Sequence, residues 1–208
     1  MASWISRILG KGPGDPIVII SGLPRSGTSM AMKMLDAGGV EIMQDGIRTA
    51  DDDNPKGYYE LEKVKELDKG GDKGWLVEAR GKAVKIISFL LKDLPPENRY
   101  KILFMRRPIP EVLASQAKML TNREESSETE DARMTELYEK HLQQVEFFIS
   151  RRDYLEKLDL PYRSVLDDPR GQAERIRDFL GMDLDVDKMA TVADRKLYRN
   201  RVEESPSS

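Results

Sequence analysis

Apolar residues along this chain follow two rhythms. Three short unbroken runs, PIVIIS (16–21), AVKIIS (83–88) and YKILFM (100–105), are rich in Ile and Val, and PYRSVL (161–166) is a weaker fourth. Runs that stay apolar at successive positions fit strands of a parallel sheet covered on both faces. Elsewhere the apolar positions recur every three to four residues. That spacing predicts helices over 27–37, closed by Gly38 and Gly39, over 109–120, over about 132–157, and over 169–180, closed by Gly181. Strands alternating with helices predict an α/β fold of three layers, α/β/α, around a central, mostly parallel sheet.

Between these elements, TADDDNPKGYYE (49–60) reads as a polar loop leading into a helix. The acidic stretch 121–133 and the tail 203–208 read as mobile. No repeat or linker asks for a second domain, so residues 1–208 are expected to form one domain with its core in 16–181. A length of 208 residues with 39% hydrophobic content suffices for one sizeable core.

Charge narrows the function. With 34 Lys and Arg against 37 Asp and Glu, the net charge of -3 argues against a general nucleic-acid surface. The positive charges nevertheless gather locally: Arg80, Lys82, Lys85, Lys92, Arg99, Lys101, Arg106 and Arg107 are opposed only by Asp93 and Glu97. Such a stretch fits a local anion site, with Lys92, Arg99 and Lys101 read as ordinary solvated charges. The absence of cysteine excludes disulfides, thiolate metal sites and cysteine nucleophiles. The apolar patch in MASWISRILGKGPGD is too brief for a signal sequence, and no run approaches membrane-spanning length. A soluble, cytoplasmic protein is the expectation.

The first strand runs into GLPRSGTS (22–29) and then a helix. A strand, a glycine-bracketed turn and a helix N-terminus point backbone N–H groups and a helix dipole at one spot, which favours phosphate or sulfate. The spacing is that of the P-loop GxxxxGK[ST], except that Thr28 stands where its lysine belongs and Arg25 supplies the cation. The expected form is therefore P-loop nucleotide-kinase-like. A P-loop NTPase also needs a metal-binding acid at a neighbouring strand end, where this chain has Arg106 and Arg107. A second anion there, and no metal ion, is the expectation. Asp168, before Pro169, reads as the cap of the next helix.

These residues resemble the sulfotransferases that use 3′-phosphoadenosine 5′-phosphosulfate (PAPS), and the arginine form of the loop is most similar to tyrosylprotein and related bacterial members. The resemblance implies that Pro24, Arg25, Ser26, Gly27, Thr28 and Ser29 hold the 5′-phosphosulfate. It also implies that Arg107, with Ser115 eight residues on, binds the 3′-phosphate. A guanidinium at a strand end and a hydroxyl early in the next helix can converge on one phosphate. A third stretch, YRSVLDDP (162–169) followed by RDFLG (177–181), is similar to a further family motif and would bring Tyr162 to the nucleotide. It departs from that motif in having Arg163 and Ser164 where the family has an acidic pair.

The implied reaction transfers a sulfuryl group from PAPS to a hydroxyl or amine. Arg25 and Lys85 are the candidate electrostatic catalysts. A lysine inside a buried-strand pattern is costly unless paired, so Lys85 either faces the anion or snorkels to solvent. The family's catalytic lysine on the corresponding strand favours Lys85 over Lys82. For the general base, the histidine of the small-molecule enzymes is replaced by Ile87. Tyrosylprotein members use a glutamate after the first helix, which makes Glu60 the candidate here, with a helix-entry role as its alternative. His141 shares a helical face with Met134, Leu137, Tyr138, Val145 and Phe148 and reads as a packed residue.

The basic cluster from Arg195 to Arg201 either closes over the nucleotide or is a solvated end. Tyr58, Tyr59 and Trp75 are candidate walls for the acceptor, whose class stays open among small molecule, lipid, carbohydrate and peptide. The competing readings are a P-loop kinase or NTPase using ATP with Mg²⁺, and a nucleotide-binding protein without catalysis.

Overall fold

The computed structural model describes residues 14–45, 59–119 and 128–193. The N-terminal apolar patch, Asp51, Asp52, Asp53 and Tyr58, residues 121–127, and the cluster from Arg195 to the C-terminus lie outside these. Four parallel strands form one sheet in the order β2-β1-β3-β4: β1 (Ile17–Gly22), β2 (Ala83–Lys85), β3 (Tyr100–Arg106) and β4 (Leu155–Pro161). Strand β1 is central and its six residues are all buried. Its Val18 and Ile20 pack against Ala31, Met34 and Leu35 of α1 (Thr28–Ala37), while Ile17 and Ile19 pack on the opposite face against Trp75, Leu76 and Leu91. Fully burying each isoleucine is worth roughly 1.5–3 kcal/mol. Slipping this strand by one residue would therefore exchange two complete faces.

The expected three layers are present. On one face lie α1, α5 (Pro169–Leu180) and α6 (Val186–Val192); on the other lie 3₁₀ turns at Gly74–Ala79 and Ser88–Asp93 with α3 (Glu128–Ser150). Helix α2 (Ile109–Met119) follows β3. Helix α6 lies beyond the expected core, and it packs so closely on α1 that a Cβ at Gly38 would sit 2.7 Å from Met189. No helix among the described residues is long and apolar enough to cross a membrane.

The fourth strand was expected at 161–166 and lies instead at Leu155–Pro161, cutting short the helix expected to run to 157. Parallel pairing of Leu155–Pro161 with Tyr100–Arg106 supplies the ladder. Polar residues hide this strand because it is an edge, and their charges are met by neighbours. Lys157 pairs with Glu146 at 2.6 Å and Asp159 at 2.8 Å, and Arg106 pairs with Asp159 at 2.9 Å and with Glu146. The run PYRSVL forms α4 (Tyr162–Asp167). Its buried residues Tyr162, Val165 and Leu166 fall at i, i+3 and i+4, a helical spacing.

Helix α5 ends as its sequence indicates, with the Asp168 side chain capping Gly171 N–H at 3.0 Å and Gly181 in the left-handed region at φ 67°. Lys101, expected to be solvated, donates to the carbonyls of Phe179 at 2.6 Å and Leu180 at 3.0 Å, closing the C-terminus of α5. Lys101→Met keeps the stem and removes these charge-assisted bonds. The expected cost is about 1–2 kcal/mol, read as a lower midpoint in urea unfolding with unchanged slope.

Candidate active site

All four strands run the same way, so their C-terminal ends share one edge, and β1 sends its chain to one side while β3 sends its chain to the other. Ligands in open α/β sheets bind in the crevice outside such a switch point. The loop after β1 stands there. Gly22 has φ 146° and Gly27 φ 105°, and a Cβ on Gly22 would lie 2.5 Å from Ser26 Oγ and 2.8 Å from the Met105 carbonyl. Only glycine allows this fold-back. Arg25 also adopts a left-handed φ of 70°, a strain that the surrounding contacts must impose.

Two observations bear on whether the loop fits an anion. Ser26 is 1% exposed, and its Oγ has no hydrogen-bond partner among the described residues. Helix α1 starts at Thr28 with no side-chain cap at Gly27 and no acidic residue in its first turn. A buried orphan donor beside an uncapped helix N-terminus fits a phosphosulfate, which would satisfy both. Pro24, Thr28 and Ser29 are half-buried around the same turn.

From β3, Arg107 reaches into this loop. Its Nη1 donates to the Arg25 carbonyl at 3.1 Å, its Nε donates to Glu111 at 3.1 Å, and its guanidinium lies 4.7 Å over the Tyr162 ring. Arg25 Nε in turn donates to Ser115 Oγ at 3.1 Å. Tyr162, at the start of α4, sets its ring directly under Gly27, where a Cβ would come within 2.5 Å of it. Burial pushes the Tyr162 phenol up, partly countered by Arg107. The structure thus brings Arg25, Gly27, Arg107, Ser115 and Tyr162 together. Neighbouring Arg106 turns instead to Asp159 and Glu146 and belongs to the β4 ion-pair network.

Lys85 and Glu60 form a second group, at the end of β2. Lys85 is 9% exposed and its Nζ lies 3.3 Å from Glu60 Oε1, so it is paired and does not snorkel to solvent. Glu60 is fixed through its backbone as well, its carbonyl accepting from Asp45 N–H at 3.1 Å. Next to it, the Tyr59 hydroxyl donates to Asp36 on α1 at 3.2 Å. Burial first and then the Asp36 charge push that phenol up to about 12, so it remains the neutral donor through the neutral range. Arg25 thus points to the Ser115 side of the loop, and Lys85 with Glu60 stands at the other strand end. Lys82 pairs with Glu41 at 2.5 Å.

His141 is packed, as its helical face indicates. Its Nε2 lies 2.9 Å from Ser88 Oγ, its ring stacks on Phe89 at 3.8 Å, and burial with nearby Lys92 lowers its pKa. Trp75 belongs to the core beside Ile17 and Ile19. Two site residues escaped the sequence reading, Glu111 and Arg163. Glu111 is 0% exposed and also accepts from Arg163 Nη2 at 2.6 Å. Its i,i+4 spacing from Arg107 was the available signal.

A model of the sulfotransferase family matches residues 69–186. The structure is similar to the sulfotransferase domain of the olefin synthase from Synechococcus PCC 7002, at 16% identity and a TM-score of 0.51, covering 94% of this chain and 90% of that one. It is also similar to mouse sulfotransferase SULT7A1 complexed with PAP, at 16% identity and a TM-score of 0.52, covering 94% of this chain and 70% of that one. At such identities the two structures show a shared α/β fold. No curated protein matches the sequence significantly.

Proposed function

The chain belongs to the sulfotransferase family, and from that premise we propose that it is an enzyme transferring a sulfuryl group from PAPS to a hydroxyl or amine acceptor. Residues 24–29 would hold the 5′-phosphosulfate, Arg107 and Ser115 the 3′-phosphate, and Tyr162 the nucleotide beside Gly27. The observation that carries this reading is the contact chain from the Arg107 guanidinium to the Arg25 carbonyl and from Arg25 Nε to Ser115 Oγ, both at 3.1 Å. It makes one continuous basic site of two motifs far apart in sequence. When bound, PAPS supplies the sulfuryl group.

The chain's own residues do the rest. Loop N–H groups and the α1 dipole offset negative charge without reorganising. The Glu60 carboxylate accepts the acceptor's proton, and the Lys85 ammonium, 3.3 Å from Oε1, orients that carboxylate and balances charge at the end of β2. The acceptor is a hydroxyl- or amine-bearing small molecule, lipid, carbohydrate or peptide. A kinase reading would put a metal-binding acid at the end of β3, where Arg106 and Arg107 stand.

Calorimetric titration tests the donor assignment. 3′-Phosphoadenosine 5′-phosphate (PAP) is expected to bind with or without Mg²⁺, and Arg107→Ala to weaken it roughly 10- to 100-fold. Preference for ATP with Mg²⁺ over PAP would overturn the reading.

A further inference from the structure

Arg107, Glu111 and Arg163 form a charged triad at the switch point, with side chains 7%, 0% and 30% exposed. Glu111 Oε2 accepts from Arg107 Nε at 3.1 Å, and Oε1 accepts from Arg163 Nη2 at 2.6 Å. Such a cluster is a poor device for stability alone, since apolar residues of similar volume usually serve as well or better. It is a good device for aiming a guanidinium. The group is planar and rigid, so holding Nε on Glu111 and Nη1 on the Arg25 carbonyl, with the Tyr162 ring against its face, sets the orientation of the whole guanidinium. We propose that Glu111 is a positioning residue that aims Arg107 at a phosphate, with Arg163 anchoring the other carboxylate oxygen so that Glu111 cannot rotate away.

Arg163 then has a purpose where the resembling family carries an acid. In this chain the positive residue after Tyr162 completes the pairing of the buried carboxylate, and the net charge of the triad remains positive, as a phosphate ligand requires. This inference rests on the assignment of Arg107 to the 3′-phosphate. It goes further in stating that discrimination for that phosphate depends on a residue that does not touch it.

The test compares PAP with adenosine 5′-phosphate, which lacks the 3′-phosphate, on the full chain by calorimetry. Glu111→Gln keeps the shape but replaces one acceptor oxygen by an NH₂ that opposes an arginine donor. PAP affinity is expected to fall roughly 10- to 100-fold, with adenosine 5′-phosphate affinity held within about threefold. In the Arg107→Ala background the same change is expected to add almost nothing, because Glu111 acts through Arg107. Glu111→Asp, which retains the charge and withdraws it by one methylene, gives the same readout should the glutamine variant fail to fold.

A parallel loss of both nucleotides would overturn the inference in favour of a merely structural role. So would an unchanged PAP affinity in Glu111→Gln while Arg107→Ala weakens PAP selectively, and that outcome leaves the donor site standing. If Arg107→Ala leaves the ratio of the two affinities unchanged, the assignment of Arg107 falls, and the inference with it.

Discussion

Gly27→Ala is expected to lower PAP affinity by about 100-fold or more and to destabilise the protein by roughly 2–4 kcal/mol. Two costs combine. The backbone at Gly27 has φ 105°, a conformation that strains an alanine, and the added Cβ would stand 2.5 Å from Tyr162 Cδ2, 2.8 Å from Cε2 and 3.2 Å from Met105 Cε. The ring cannot yield cheaply, because Tyr162 is 6% exposed and Arg107 lies against its face. Either the loop opens, moving the N-terminus of α1, or the ring is driven out, moving Arg107. Both disturb the same proposed nucleotide site. Thermal unfolding together with PAP titration checks this, and a variant that binds PAP normally would show that the loop geometry does not form the nucleotide site.

Glu60→Gln is expected to reduce turnover by about 10²- to 10⁴-fold, the range for removing a general base. PAP binding is expected to change by no more than about threefold, because Glu60 lies at the end of β2 and outside the Arg25, Arg107 and Ser115 group. An amide oxygen can still accept from Lys85, so the fold around Tyr59 and Asp45 should persist. Single-turnover kinetics with PAPS and an identified acceptor separate the two effects. Full turnover in the variant would reduce Glu60 to an anchor for Lys85 and require another base.

Much of the fold was legible because side-chain periodicity reports local backbone geometry. The unbroken run PIVIIS marked a central strand; Asp168, Pro169 and Gly181 marked both ends of α5. The edge strand was not legible in the same way. Leu155–Pro161 carries Lys157 and Asp159, which are met by Glu146 and Arg106 from α3 and β3, and Glu156, which pairs with Arg99. Tyr162, Val165 and Leu166 did carry a readable helical spacing, which the apolar content of the run obscured.

The candidate site divides along the same line. By itself the sequence determined that a glycine-bracketed turn joins a buried strand to a helix, and that an arginine and a serine sit eight residues apart after another strand. These are local features, set by backbone conformation and by burial along one element. Only the tertiary structure decided that Arg107 rests on the Arg25 carbonyl, that Glu111 joins Arg107 to Arg163, and that Lys85 meets Glu60. Each of those contacts gathers groups at the C-terminal edge of the sheet, and all but the first, a guanidinium on a backbone carbonyl, are ion pairs. Partner choice there depends on which strand ends become neighbours, and strand order is fixed by long-range packing.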